Sequence, residues 1–100
     1  MSLEYQQLDP LIHQPARLSI MAALAATKEV EFGTVRDTIG ISDSLLSRYI
    51  TVLENAGYIK VRKGFVAKRP RTWLAITAQG KRAFRNHLEV LQKIVRQELI

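Results

Sequence analysis

Cysteine is absent from this 100-residue sequence, which excludes a disulfide framework and any thiolate metal site. No apolar run approaches the roughly 18 residues that a membrane span needs. The longest, Leu18 to Ala26, is far shorter and carries Ser19. The opening Met1-Ser2-Leu3-Glu4 has neither the basic region nor the apolar stretch of a secretory signal. These absences point to a cytoplasmic protein with no membrane association. No glycine-rich loop precedes a lysine in phosphate-binding spacing. Two histidines, His13 and His87, support no Ser/His/Asp arrangement. Without paired acids, thiols or a cofactor loop, the expectation is a non-enzymatic chain that carries no cofactor and no catalytic residue.

Acid is also missing from one particular place. Six of the 15 Lys and Arg residues lie between Lys60 and Arg71, namely Lys60, Arg62, Lys63, Lys68, Arg69 and Arg71, with no Asp or Glu among them. The remaining nine basic residues are matched by nine acidic ones, so the net charge of +6 is local. A local basic excess suits a polyanion, because each neutralised phosphate releases condensed counterions. A merely solvated basic hairpin is the plainer reading of the same charge. The length suits one compact domain, residues 1–100, and 47% hydrophobic with 24% charged residues marks a globular chain.

Periodicity and punctuation then order the elements. Asp9-Pro10 can start a helical turn, and Leu3, Leu8, Leu11 and Ile12 can form an apolar edge. Pro15 starts a first firm helix running to about Ala26. Val30-Glu31-Phe32 is a brief extended piece. A short helix follows to about Ile39, with Phe32, Val35 and Ile39 on one face and Gly40 in the left-handed position after it. Ser42 caps a helix from Asp43 to about Asn55, whose inward stripe is Leu46, Ile50 and Leu53. Tyr58 to Lys63 and Thr72 to Ile76 alternate as two strands, joined by an eight-residue tip containing Gly64 and Pro70. Thr77 caps a long last helix, Ala78 to about Glu98. The fold class is mainly α with a small β-hairpin (α+β), in the order helix, helix, helix, hairpin, long helix.

The second and third helices, joined by Gly40-Ile41-Ser42, have helix-turn-helix spacing. With the inward stripe assigned, the outward residues of the third helix are Ser44, Leu45, Ser47, Arg48 and Thr51, with Ser42 at its start. Short hydroxyls and one arginine suit contacts with base edges or phosphates. Leu45 can pack on a thymine methyl. Tyr49 has two readings, a phosphate contact or a core position. Asp43 serves the positive end of the helix dipole. An ordinary amphipathic helix that happens to carry serines is the alternative.

The run from Ile41 to Ile59, with Ser47-Arg48, Leu53-Glu54 and Gly57 followed by apolar residues, resembles the recognition-helix motif of MarR-like and ArsR-like winged helix-turn-helix transcriptional regulators. Leu11 to Leu18, Arg69 to Leu74 and Leu74 to Lys81 resemble the family's first helix, wing return and last-helix start. The resemblance covers about residues 8 to 95. It implies a sequence-specific regulator of transcription, in the sense of a repressor, that binds double-stranded DNA. Helix 43–55 would lie in the major groove and the basic wing, 60–72, on the backbone or in the minor groove. Arg62, Lys63, Lys68, Arg69 and Arg71 are the wing's phosphate contacts, and Arg69 or Arg71 can instead enter a narrow minor groove. Pro70 is expected to stiffen the tip, and Trp73 to pack in the core or an interface.

Phe84, Leu88, Leu91 and Val95 make a coiled-coil-like seam on the last helix, flanked by His87 and Ile94. At about 20 residues the helix spans some 30 Å, longer than so small a body needs. The expectation is a homodimer in which residues 78–100 pack on their twin and on residues 1–14, through Leu3, Leu8, Leu11 and Ile12. His13 and His87, with Asp9 or Glu89, could form a metal site across that interface, although hydrogen bonding is the simpler use. An organic effector in the dimer cleft is open, with no polar cluster to mark it. A winged-helix module that meets an acidic protein partner is the alternative function.

Overall fold

The computed structural model describes residues 4–96; Leu3 lies outside them. A short 3-10 helix, Glu4–Gln7, precedes α1 (Pro15–Ala25), β1 (Val30–Glu31), α2 (Phe32–Ile39), α3 (Asp43–Asn55), β2 (Ile59–Val66), β3 (Arg69–Ile76) and α4 (Ala78–Val95). The sheet is antiparallel with strand order β1-β3-β2. No described helix is long and apolar enough to cross a membrane.

Local chemistry sets the helix ends. Gln14 accepts the Arg17 amide at 2.8 Å ahead of Pro15. Gly40 stops α2 at φ +78°. Ser42 Oγ accepts the Leu45 amide at 3.2 Å and starts α3, and Thr77 caps α4 through the Gly80 amide at 2.9 Å. After α3, the amides of Gly57 and Tyr58 donate to Glu54 and Leu53 at 2.9 and 3.0 Å, a Schellman turn that aims the chain into β2.

The core is one cluster. Ile20, Met21 and Leu24 of α1, Val35 of α2, Leu46, Ile50 and Leu53 of α3, and Ile59, Leu74 and Ile76 of the sheet are buried together with Ile12. Only one face of the sheet belongs to it. Trp73 is half-buried but outside this cluster, so of the two places expected for it, core or interface, it does not take the core.

Two further corrections concern the hairpin. The strands extend to Val66 and from Arg69, so the tip is the pair Ala67-Lys68, with φ of +51° and +67°, rather than eight residues. Two successive left-handed residues follow the right-handed twist of the flanking strands. Alanine and lysine carry none of the Asn-Gly signal that usually announces such a turn. Pro70 therefore lies inside β3, opposite Phe65, and does not stiffen the tip. In a two-residue hairpin the closing pair carries the ladder bonds and the next pair does not. Pro70 thus sacrifices no bond to β2, and β1 pairs with β3 only at Trp73 and Leu74.

Asp9-Pro10 does start a turn, with the Ile12 and His13 amides donating to Asp9 O at 3.1 and 2.7 Å, but it goes no further. This turn is stapled to α4. The Asp9 amide donates to Nδ1 of His87 at 3.1 Å, and His87 Nε2 meets His13 Nδ1 at 3.2 Å. Because Nδ1 accepts, neutral His87 carries its proton on Nε2 and donates it to His13. The Asp9 carboxylate takes the Leu11 amide at 2.9 Å and the Tyr58 hydroxyl, and that bond pushes the Tyr58 phenol up to about 12. His87 is buried within the single chain, as is Ile12.

Two predictions follow from this packing. A side-chain carbon on Gly80 would lie 2.0 Å from the Tyr58 carbonyl oxygen, so Gly80→Ala should destabilise the fold by roughly 3 kcal/mol in urea unfolding. Burial first, and His13 second, hold His87 below the ordinary imidazole value of 6.5, with Asp9 opposing them. The unfolded chain then binds a proton that the folded chain refuses. The stabilisation is fully present above 6.5 and is lost as the pH falls from there toward the lowered native value. Thermal melts at about pH 7.5 and about pH 5.5 should differ more for the wild type than for His87→Gln, which keeps an acceptor for the Asp9 amide.

Candidate nucleic-acid interface

The third helix turns Leu46, Ile50 and Leu53 inward and leaves Ser44, Ser47, Arg48 and Thr51 exposed, with Leu45 half-buried. Arg48 makes no ion pair or side-chain hydrogen bond among the described residues, so its guanidinium is available. Thr51 donates back to Ser47 O at 2.9 Å and keeps its lone pairs for a donor. Ser42 is committed to its capping bond and to Ser44 Oγ at 3.3 Å. Tyr49 packs against the core, with its hydroxyl taking the Gln14 amide at 3.1 Å, the second of its two readings.

Asp43 sits at the start of this face, where a bare carboxylate would repel phosphate. Arg36 of α2 reaches it at 2.8 Å and also holds Asp37 at 2.9 Å. The acid therefore serves the helix dipole while its charge is offset. Nothing in the spacing of Arg36 and Asp43 announces this pair; the turn between α2 and α3 creates it.

The wing has two chemically different faces, because strand side chains alternate. Val61, Lys63 and Phe65, paired with Leu74, Thr72 and Pro70, continue the core face outward. Lys60, Arg62, Gly64 and Val66, paired with Ala75, Trp73, Arg71 and Arg69, form the other. On this second face the Arg62 guanidinium lies 4.0 Å above the Trp73 ring and grips Glu29 through two bonds of 3.0 and 2.8 Å. The bond from Arg62 holds the Glu29 carboxyl below its usual range. Arg71 is paired with Glu31 at 2.8 Å.

Acid absent from the 60–71 stretch is thus supplied by the segment leading into α2. Arg62 and Arg71 brace the sheet, whereas Lys63, Lys68 and Arg69 are exposed and make no ion pair among the described residues. Lys63 joins Ser47 and Thr51, and the carboxylates of Asp43 and Glu54, in lining an open cleft of about 400 Å³ between α3 and the wing. The fold therefore brings the polar face of α3 and the inner edge of the wing onto one surface. Phe65 and Val66 were not singled out from the sequence, although an aromatic residue inside a basic run was a signal for them. They are 76% and 50% exposed.

The seam residues of α4 divide between two faces. His87 and Val90 are buried within the chain, while Phe84, Leu91 and Ile94 are half-buried. Leu88 and Val95 point away, 39% and 80% exposed. Leu8 and Leu11 are half-buried. An outward apolar strip of Leu88 and Val95 thus remains beside Leu91.

Comparison with known proteins bears on the fold and the family. An uncharacterized protein of Methanocaldococcus jannaschii is 28% identical over 83 residues, covering 82% of this chain and 90% of that protein. A solved structure of a transcriptional regulator homologue from Pyrococcus horikoshii superposes with a TM-score of 0.87 at 27% identity, over 94% of this chain and 95% of that one. The transcriptional repressor BigR of Xylella fastidiosa has the same fold, with a TM-score of 0.67 at 21% identity over 95% and 90% of the two chains. The winged helix DNA-binding domain family matches residues 16–95, which run from α1 through the wing to the end of α4, and the chain belongs to that family.

Proposed function

We propose that this chain is a sequence-specific regulator of transcription, acting as a repressor, that binds double-stranded DNA as a homodimer. The observation that carries the reading is the exposed face of α3. Ser44, Ser47, Arg48 and Thr51 stand free of the core on a capped helix whose leading acid, Asp43, is offset by Arg36. Hydroxyls and a forked guanidinium on a major-groove helix read base edges. Lys63, Lys68 and Arg69 hold phosphates beside it and set the register. The Pyrococcus horikoshii and Xylella fastidiosa proteins, described as a regulator homologue and a repressor, support the regulatory sense.

Dimerisation is supported by the outward strip of Leu88, Leu91 and Val95 on α4. A two-fold axis through it would offer two copies of α3 to half-sites about one DNA turn apart. In sedimentation equilibrium the wild type should be a dimer, and Leu88→Glu with Val95→Glu a folded monomer. A wild-type monomer at all concentrations would remove this part of the reading.

The DNA reading is tested on duplex fragments retained by the wild type from a random-sequence pool. Arg48→Ala should weaken the selected fragment by about 1–3 kcal/mol and leave random duplex nearly unchanged. Equal binding of selected and random duplex by the wild type, with no loss in Arg48→Ala, would refute sequence-specific recognition by α3.

A further inference from the structure

We infer that Phe65 is an apolar wedge, carried by the wing into the minor groove beside the site read by α3 and set against a flexible base step. The inference rests on the reading of this chain as a binder of duplex DNA. It begins with an exposed aromatic ring. Phe65 is 76% exposed, and its cross-strand partner is Pro70, which cannot cover it. Beyond Arg62 and Trp73 the sheet is only two strands wide. Four residues of each strand stand clear, a ribbon about 13 Å long. Its turn, with Ala67 and Lys68 both left-handed, holds the ring in a defined place, so little ordering is needed on binding.

The surroundings of the ring select its target. Lys63 lies two residues away on the same face, and Lys68 and Arg69 close the tip. No acid occurs from Lys60 to Arg71, and the acids that neutralise Arg62 and Arg71 lie back at Glu29 and Glu31. An apolar ring flanked by free cations matches a surface that is apolar between two rails of negative charge. The minor groove is such a surface, with sugar walls and base edges between phosphate rows. At roughly 6 Å wide it excludes the ribbon itself, so what enters is a tip side chain. The cations are better placed on the phosphates, leaving Phe65 for the base step. Pyrimidine–purine steps unstack most easily, so the wedge would add specificity for such a step without any hydrogen bond to a base.

The test uses the full chain and a duplex selected by the wild type from a random pool, with 2-aminopurine placed in turn at flanking positions. Phe65→Ala should keep the wild-type melting temperature, because the ring is outside the core. It should bind roughly tenfold more weakly, with the slope of log K against log salt unchanged. Arg69→Ala should instead flatten that slope by about 0.9. Fluorescence of 2-aminopurine should rise at one flanking step with the wild type and with Phe65→Trp, and stay quenched with Phe65→Ala. Equal affinity and equal fluorescence for Phe65→Ala overturn the wedge and leave DNA binding intact. Failure of the wild type to retain any duplex removes the underlying reading as well. Unchanged duplex binding, with loss of binding to poly-glutamate, overturns the wedge in favour of a protein-facing ring.

Discussion

The carbonyl oxygen of Tyr58 lies where α3 ends, the wing begins and α4 starts, and the space beside it admits no side-chain carbon at position 80. That oxygen accepts the Thr77 amide at 2.9 Å, and the Thr77 hydroxyl donates to Gly57 O at 2.6 Å. Three chain segments are thereby fixed at one backbone junction. The same residue's hydroxyl reaches Asp9, which is tied in turn to His87 of α4. The angle at which the wing leaves the body, and hence its place beside α3, depends on this contact. Backbone–backbone approach of this kind is stiff, since neither partner has a rotamer to yield.

Electrostatics divides the wing's cations into braced and free. Arg62 is stacked on Trp73 and held by Glu29, and Arg71 is held by Glu31. These pairs cross from the approach to α2 onto the edge strand β2 and the central strand β3 and brace the narrow sheet. They are solvent-accessible, so phosphate can compete for the same guanidinium groups. Lys63, and Lys68 and Arg69 at the tip, have no such partners among the described residues. Net charge therefore overstates the cations on offer, and the reach of Glu29 and Glu31 decides which are spent.

The last helix serves two masters through its period. Gly80, His87 and Val90 face the body, and the polar member of that set is satisfied by Asp9 and His13 rather than by solvent. Leu88 and Val95 face outward. A seam read as one stripe thus supplies part of the monomer's own core, and what is left for a second copy is narrower.

Local signals in the sequence determined the element order. The caps Ser42 and Thr77, the left-handed Gly40 and the 3–4 spacing of Leu46, Ile50 and Leu53 each act within a few residues, so a linear reading captures them. They were enough to delimit α3 to Asp43–Asn55 and to turn Ser44, Ser47, Arg48 and Thr51 outward. The resemblance of Ile41 to Ile59 to winged regulators drew on the same local chemistry. The tight turn escaped because Ala67 and Lys68 adopt left-handed geometry that their side chains do not favour, so only pairing of the flanking strands enforces it. The charge concentrated in the wing was legible as a sum, but its availability was not. Glu29 and Arg62 are 33 residues apart, and Glu31 and Arg71 are 40 apart. Asp9 and His87, separated by 78 residues, meet only when the chain has closed. Tertiary structure decided which charges are spent and which are left at the surface, because pairing depends on distance in space and not along the chain.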